Sequence, residues 1–449
     1  MLAGIGQRFL NFCERFGGHF RQRTRTVETS ARHYVRGLLQ AETKNMERME
    51  EAIPEADHQA LHHMLRESAW SERAVLDPVA QDANRLLGGH PDRALLIDES
   101  GIPKKGTRSV GVARQWCGQL GKVENCQVGV FAALSRGTEV TLIDERLFLP
   151  EAWTSDPARC QAAGIPKAHR GFQRKVDLAL AMIARARQQG IGFAWVGFDG
   201  FYGSDPAFPR ALDAAGEVFV GDVHRDQRIY LDDPQPLVPP AQTARGRPPT
   251  RLQARTLAVR VDHWAQQQPA TAWQPVTLRE GTKGPLRVDI LHQRVWLWDG
   301  EEAQAQLWHL IVRREIDDPT EIKYSLSNAA ADTPAPRLAF MQGQRYWIER
   351  ALQQGKQDVG LGDYQVRGWR GWHHHLTLVM MAMLFGLEER RLHQQTRPLL
   401  SGRDLRALLN HFLPRRDTTL EEVLRQMEAR HRKRQAAIDS AYRQQQLNE

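Results

Sequence analysis

Two stretches of this sequence each run from apolar residues directly into an aspartate. "RALLIDESGIPKKG", which begins at Arg93, reaches Asp98 in this way, and "FAWVGFDGFYG" reaches Asp199 later in the chain. Short apolar runs of this kind predict strands buried on both faces of a sheet, which occur where helices cover a parallel sheet. Catalytic and ligand-binding groups of such sheets gather where the strands leave the core. The two stretches therefore predict an α/β fold in which Asp98 and Asp199 meet.

The segments around these strands complete a mixed sheet. "NCQVGVFAALS" and "TEVTLIDERLFL" have strand composition and are joined by Arg136 and Gly137, which predicts a hairpin. "FQRKVDLALAMIARARQQG" predicts an amphipathic helix, and "EVFVGDV" predicts a further strand. This order predicts an α/β fold with a mixed sheet flanked by helices, a β-rich insertion, and helical N- and C-terminal regions.

Composition shifts along the chain predict five segments. They are a helical N-terminal region at 1–90, the first part of the core at 91–224, a β-rich insertion at 225–340, closing helices of the core at 341–390, and a helical charged region at 391–449. The N-terminal helices fit either a small bundle or a DNA-binding module, since Arg21, Arg23 and Arg25 cluster just before one of them.

The charge balance favours a polyanionic partner. Lys and Arg number 61 against 53 Asp and Glu, which gives a formal net charge of +8. Arg dominates, and its guanidinium forks onto phosphate oxygens, so nucleic acid is the favoured partner. The four cysteines show no metal-ligand spacing, the N-terminus lacks a signal peptide pattern, and the apolar run from Leu376 is too short to span a bilayer. We therefore expect a cytoplasmic protein with no membrane partner.

A third motif, "RYWIERALQQGK", supplies another carboxylate. On a helix, Arg345, Glu349 and Lys356 fall on one polar stripe, flanked by the apolar residues Ile348 and Leu352. If this helix lies beside the two aspartates, its glutamate completes an acidic cluster that suits hard divalent cations such as Mg²⁺. The alternative is an exposed charged stripe with ordinary pairing between residues one turn apart.

In this order, the three motifs resemble those of DDE transposases of bacterial insertion sequences, in the 701 group and related to the 4 group. The resemblance covers residues 30 to 385. The family's first Asp lies at the end of the first strand of an RNase H-like core and matches Asp98. Its second lies in a "DxxYG" turn and matches Asp199. Its Glu lies in an "R-x3-E-x6-K" helix and matches Glu349, with Arg345 and Lys356 as the two basic residues.

One position departs from the family's pattern. The wider pattern has a Tyr three positions before the Arg, where this sequence has Gln342, although Tyr346 follows the Arg. Because the carboxylates are intact, activity is still expected, but the contacts to DNA near this position are expected to differ.

The resemblance implies a DNA transposase that cuts transposon ends and joins the 3′-OH to target DNA by Mg²⁺-dependent phosphoryl transfer. Asp98, Asp199 and Glu349 are then the catalytic residues and the ligands of two Mg²⁺ ions, for which Mn²⁺ substitutes. Independently of the resemblance, Asp222 also ends a predicted strand and is a reserve candidate for a ligand. The partners are the terminal inverted repeats and target DNA, bound by a homodimer. Predicted DNA contacts are Arg345, Lys356, Tyr346, Lys104, Lys105 and Tyr202, with Arg108, Arg279, Lys283 and Arg287 as further backbone contacts. A domesticated DNA-binding regulator and an RNase H-like nuclease stay open as alternatives.

Overall fold

The computed structural model describes residues 2–240, 249–281, 284–316, 318–417 and 419–446, without the side chains of Gln444 and Gln445. The chain divides into two compact units. One is formed by Met1–Val75, Lys356–Val366 and Thr377–Glu449, as far as these are described, and the other by Leu76–Gly355 and Arg367–Leu376. None of the helices in the described ranges is both long enough and apolar enough to cross a membrane.

The helices, in chain order, are α1 (Ile5–Gly17), α2 (Glu28–Gln40), α3 (Met46–Ala52), α4 (His58–Arg66), α5 (Glu72–Leu87), α6 (Glu151–Thr154), α7 (Pro157–Ala162), α8 (Lys175–Gln188), α9 (Gly200–Gly203), α10 (Ala207–Ala214), α11 (Val261–Gln266), α12 (Ala335–Gln344), α13 (Tyr346–Asp358), α14 (Trp369–His393), α15 (Gly402–Phe412) and α16 (Leu420–Gln446).

The strands are β1 (Arg93–Pro103), β2 (Ala113–Cys117), β3 (Lys122–Arg136), β4 (Glu139–Leu147), β5 (Trp195–Phe198), β6 (Phe219–Val223), β7 (Arg228–Ile229), β8 (Val259–Arg260), β9 (Gln274–Gly281), β10 (Gly284–Leu297), β11 (Gln306–Glu315) and β12 (Ile322–Ser327).

A single large sheet organises the second unit. Its strand order is β2-β3-β1-β5-β6-β12-β11-β10-β9, and β4 pairs with β3. The strands β1, β5 and β6 run parallel, and the remaining pairings in this sheet are antiparallel. This arrangement confirms the predicted fold class, an RNase H-like mixed sheet flanked by helices, with β-rich and helical additions.

The parallel strands at the centre of the sheet are short and apolar because helices and loops cover both faces. Residues 94–97 of β1 and all four residues of β5 are buried. Two parallel strands must be joined by a crossover connection. The helix α8 forms part of the crossover that leads into β5, and α9 and α10 form the crossover from β5 to β6. The crossovers place the carboxyl ends of β5 and β6 at one edge of the core.

The helical unit is held together by an aromatic core. Phe9 and Phe12 of α1 are buried and each contacts the ring of Phe385 on α14, with ring centroids 5.3 Å apart in both pairs. Arg8, one turn from Phe12, pairs at 2.6 Å with the buried Glu389. The apolar run from Leu376 is therefore part of a buried helix, as the sequence predicts, and it belongs to this unit from Thr377 onward.

Two features of the sheet differ in detail from the sequence prediction. β1 continues past Asp98 to Pro103, because its second half pairs with β3 after its pairing with β5 has ended at Ile97. Asp98 thus lies within a strand and not at its end. The strands of the predicted insertion, β9 to β12, continue the same sheet through β12, which pairs with β6. The boundaries of the five predicted segments stay predictions.

Candidate active site

The register of the parallel strands brings three aspartates into line. Ile97 on β1 pairs with Phe198 on β5, so Asp98 and Asp199 are the next residues on adjacent strands and point to the same side. Phe198 in turn pairs with Gly221 on β6, which places Asp222 next in the same row. Because neighbouring strands lie ~4.8 Å apart, the three carboxylates form a compact row.

Asp199 is fixed by the turn that follows it. Its Oδ1 accepts hydrogen bonds from the backbone N–H groups of Phe201 at 3.1 Å and Tyr202 at 3.4 Å, so it caps α9. A Cβ on Gly203 would lie 2.0 Å from the carbonyl oxygen of Asp222, and only glycine permits this approach of α9 to β6. The "DGFYG" motif therefore both caps α9 through Asp199 and lets α9 pack closely against the strand that carries Asp222.

The side chain of Arg345 joins these aspartates to the glutamate on α13. Its Nε lies 2.8 Å from Oδ2 of Asp222, and its Nη2 lies 2.6 Å from Oε1 of Glu349. Its Nη1 lies 3.9 Å from Oδ2 of Asp98. With only 16% of the side chain exposed, this guanidinium is the cation of a four-carboxylate cluster formed by Asp98, Asp199, Asp222 and Glu349.

A buried polar chain holds Asp222 in place behind the cluster. Gln342 donates from Nε2 to Oγ of Ser325 at 2.6 Å, and Ser325 donates to Oδ1 of Asp222 at 2.5 Å. Gln342 is buried, so the position at which this sequence departs from the family pattern faces the inside of the protein. The departure thus bears on how Arg345 and Asp222 are positioned, and a direct contact of Gln342 with DNA is excluded in this conformation.

Burial and mutual repulsion shift the ionisation of the cluster. Burial, and then the nearby Asp199 carboxylate, raise the pKa of Asp98 to about 8. The pKa of Asp199 is also raised, mainly by burial. Burial alone lowers the pKa of Arg345, but the carboxylates of Asp222 and Glu349 outweigh that effect and raise it. The positive charge of Arg345 therefore does not offset the burial and mutual repulsion of the carboxyl groups of Asp98 and Asp199.

The donor set fits a hard divalent cation. The carboxylates of Asp98 and Asp199 are adjacent and buried. A divalent cation that prefers oxygen ligands would offset both their mutual repulsion and the cost of burying their charge. In the part of the chain that the structure describes, no three His, Cys, Asp or Glu side chains are already arranged as a metal site. Glu349, the third predicted ligand, is paired with Arg345. The three predicted ligands are thus brought together around a guanidinium.

The structure corrects one predicted DNA contact and leaves others as predictions. Tyr202 is fully buried and packs against Phe208, with ring centroids 5.4 Å apart, so its side chain cannot reach DNA in this conformation. Tyr346 is exposed, and the guanidinium carbon of Arg279 lies 3.9 Å from its ring centroid. Lys105 is exposed in the loop after β1. Tyr346, Arg279 and Lys105 therefore stay predicted DNA contacts.

The remaining predicted contacts have mixed placements. Lys104 and Lys356 are partly buried, Arg108 and Arg287 are exposed, and Lys283 lies outside the described residues. Arg345, a predicted DNA contact, pairs with the carboxylates of Asp222 and Glu349, and its contact with DNA stays a prediction. The spacing of four residues signals its pair with Glu349, but no local pattern signals its pair with Asp222.

The raised pKa of Asp98 predicts a pH-dependent stability of the metal-free protein. A carboxyl group whose pKa is raised on folding stabilises the protein at low pH, and this contribution is lost as the pH rises through about 8. Asp98→Asn has no such contribution to lose. Its melting temperature minus that of the original protein should therefore increase by roughly 2–4 °C between pH 5 and pH 8. Calorimetry in the presence of a chelator measures this, with the exposed-carboxylate variant Asp232→Asn as the control. A pH-independent difference would contradict it.

Comparisons with known proteins identify the family of the chain. Residues 15–285 match a family described as "DDE superfamily endonuclease", a range that includes Asp98 and Asp199 and ends before Glu349. The chain is also 22% identical over 313 residues to a protein described as a probable transposase for insertion sequence element IS701 from Microchaete diplosiphon, and the alignment covers 69% of each chain. Both findings confirm the resemblance drawn from the three motifs.

Proposed function

The chain belongs to the DDE superfamily of endonucleases, and we propose that it is the transposase of a bacterial insertion sequence. In this proposal it cuts DNA at the ends of the element and joins the freed 3′-OH to target DNA. The observation that carries the proposal is the meeting of Asp98, Asp199 and Glu349 around the guanidinium of Arg345. A protein that only binds DNA has no need of such a cluster, whose burial is costly.

Asp98, Asp199 and Glu349 are the proposed ligands of two Mg²⁺ ions, for which Mn²⁺ substitutes. When bound, such ions activate water and stabilise the charge on a leaving oxygen at phosphorus. The strands fix Asp98 and Asp199 before any substrate arrives, which limits the reorganisation that the reaction needs. Glu349 is 48% exposed and pairs with Arg345, so it would have to leave this ion pair in order to bind a metal. In the absence of metal, Arg345 thus provides positive charge to the carboxylates of the cluster.

The DNA partners in this proposal are the terminal inverted repeats and the target. Lys356 lies two helical turns beyond Glu349 on α13, and Lys105 and Arg279 supply exposed or aromatic-stacked positive charge. Such contacts position the phosphate backbone without reading the sequence. The protein would act in the bacterial cytoplasm on the nucleoid, as a homodimer that pairs two ends.

A cleavage assay tests the proposal directly. The substrate is a duplex that carries the terminal repeat flanking the gene, incubated with Mg²⁺, Mn²⁺, Ca²⁺ or a chelator, together with a target plasmid. We expect 3′-OH ends and joined products with Mg²⁺ or Mn²⁺, and binding without cleavage with Ca²⁺. Cleavage without joining would indicate a nuclease, and binding without cleavage under every condition would indicate a regulator. Equal cleavage in the chelator would exclude the metal.

A further inference from the structure

The β2–β3 hairpin carries an exposed apolar tip on the edge of the large sheet. Trp116 is 56% exposed, Val123 is 50% exposed, and the two are directly paired across the strands. Leu120, in the turn between them, is 43% exposed. β2 is the last strand on its side of the sheet. Adjacent exposed apolar side chains at the edge of a sheet mark a candidate interaction surface.

The surroundings of this tip are strongly basic. Between residues 104 and 124 the chain has five basic residues and one acidic residue, Glu124, which pairs with Lys122 at 3.3 Å. The exposed basic side chains nearest the tip in sequence are Arg114 and Lys122, and Lys105 and Arg108 lie in the preceding loop. Apolar side chains rimmed by cations fit a polyanion that can also accept an apolar wedge, which describes duplex DNA.

The register connects the tip to the acidic cluster. Asp98 pairs with Phe131, and Trp116 pairs with Val123. Since side chains alternate along a strand, Phe131 and Val123 of β3, eight residues apart, point to one face, and their partners Asp98 and Trp116 point to that face as well. At ~3.3 Å per residue, this separation is about 26 Å, or about eight base pairs of duplex at 3.4 Å each.

We propose that the β2–β3 hairpin is a second DNA-binding element, which inserts Trp116 and Val123 between base pairs of the bound duplex about eight base pairs from the phosphate held at the acidic cluster. Arg114, two residues before Trp116 on β2, points to the same face by this alternation and holds a phosphate beside the wedge. An apolar wedge of this kind unstacks a base step and bends the DNA. The inference rests on the proposed function in taking DNA as the substrate, and it adds a contact that is separate from the chemistry.

Binding and distortion are measured on the full-length protein in Ca²⁺. The probes are a mixed-sequence duplex and a duplex with the terminal repeat, each with 2-aminopurine placed at successive positions from the cleavage site. We expect Trp116→Ala to weaken binding about 5- to 100-fold, and Trp116→Phe to recover most of the loss because an aromatic ring still stacks. Leu307→Ala, at a residue 38% exposed on the same sheet, is the matched control and should change binding less than about twofold.

The position of the distortion is the sharper readout. 2-Aminopurine fluorescence should rise about eight base pairs from the cleavage site, and Trp116→Ala should remove that rise. Arg114→Ala should reduce the salt dependence of binding by about one phosphate contact. If the two duplexes differ, the one that shows the rise identifies whether end or target DNA takes the wedge.

Three outcomes would overturn the inference. The first is that Trp116→Ala binds DNA as tightly as the original protein. The second is that the distortion of the DNA persists with Trp116→Ala. The third is that, without DNA, the original protein sediments as a dimer and Trp116→Ala as a monomer. The last result would assign the hairpin to a second copy of the chain, joined through the free edge of β2. Failure of the proposed function looks different, because the original protein would then show the wedge distortion and yet cut no DNA in Mg²⁺.

Discussion

Replacing Glu349 by Gln is expected to lower Mg²⁺-dependent DNA cleavage by about 10³-fold, or about 4 kcal/mol of transition-state stabilisation. Gln has nearly the same size but no charge, so it can neither pair with Arg345 nor supply an anionic oxygen to a metal. DNA binding should not weaken by more than about twofold, because the negatively charged Glu349 contributes no attraction to phosphate. Single-turnover cleavage and a binding titration in Ca²⁺ separate the two effects.

The matched control for this variant is Glu428→Gln. Glu428 lies on α16 and pairs with Arg432 at the same spacing of four residues along a helix, at 4.0 Å and largely exposed. It should leave cleavage unchanged. Asp98→Asn and Asp199→Asn should behave like Glu349→Gln. Near-normal cleavage by any of the three carboxylate variants would remove that residue from the ligand set and, for Glu349, would refute the assignment of α13 as the catalytic helix.

Much of the site follows from local sequence pattern. The apolar runs before Asp98 and Asp199 predict two buried strands, and the parallel pairing of such strands is enough to make the next residues neighbours. The helix that carries Glu349 is predicted by its polar stripe, and it spans Tyr346–Asp358. These features are local because each depends on the periodicity of one element.

The remaining parts of the site depend on pairings between distant segments. Asp222 reaches the cluster through its strand, but its partner Ser325 lies on β12, which pairs with β6 across 103 residues of sequence. No local pattern shows that Arg345 reaches both Asp222 and Glu349. The burial of Tyr202 likewise depends on the close approach of α9 to β6, which only the folded chain displays. Polar networks assembled from separate elements are therefore the part that sequence periodicity misses.

Replacing Arg345 by Gln is expected to destabilise the metal-free protein by about 3–5 kcal/mol, because removal of one partner leaves buried carboxylates without their cation. Divalent metal should restore part of this loss, since it supplies the missing positive charge to the same carboxylates. The melting temperature should therefore rise more on addition of Mg²⁺ or Mn²⁺ in Arg345→Gln than in the original protein. Differential scanning calorimetry with and without metal measures both quantities.

This experiment also decides between the two roles considered for Arg345. If the side chain serves mainly to grip DNA, Arg345→Gln should weaken DNA binding and leave the metal-free melting temperature unchanged. Arg314→Gln is the matched control, because Arg314 lies on β11 of the same sheet and pairs with Asp289 at 2.9 Å with 30% of its side chain exposed. This pair is more exposed than the pairs of Arg345, so its loss should cost less stability, and metal should not rescue that loss. A metal-dependent recovery confined to Arg345→Gln would identify its guanidinium as the cation that a divalent ion replaces.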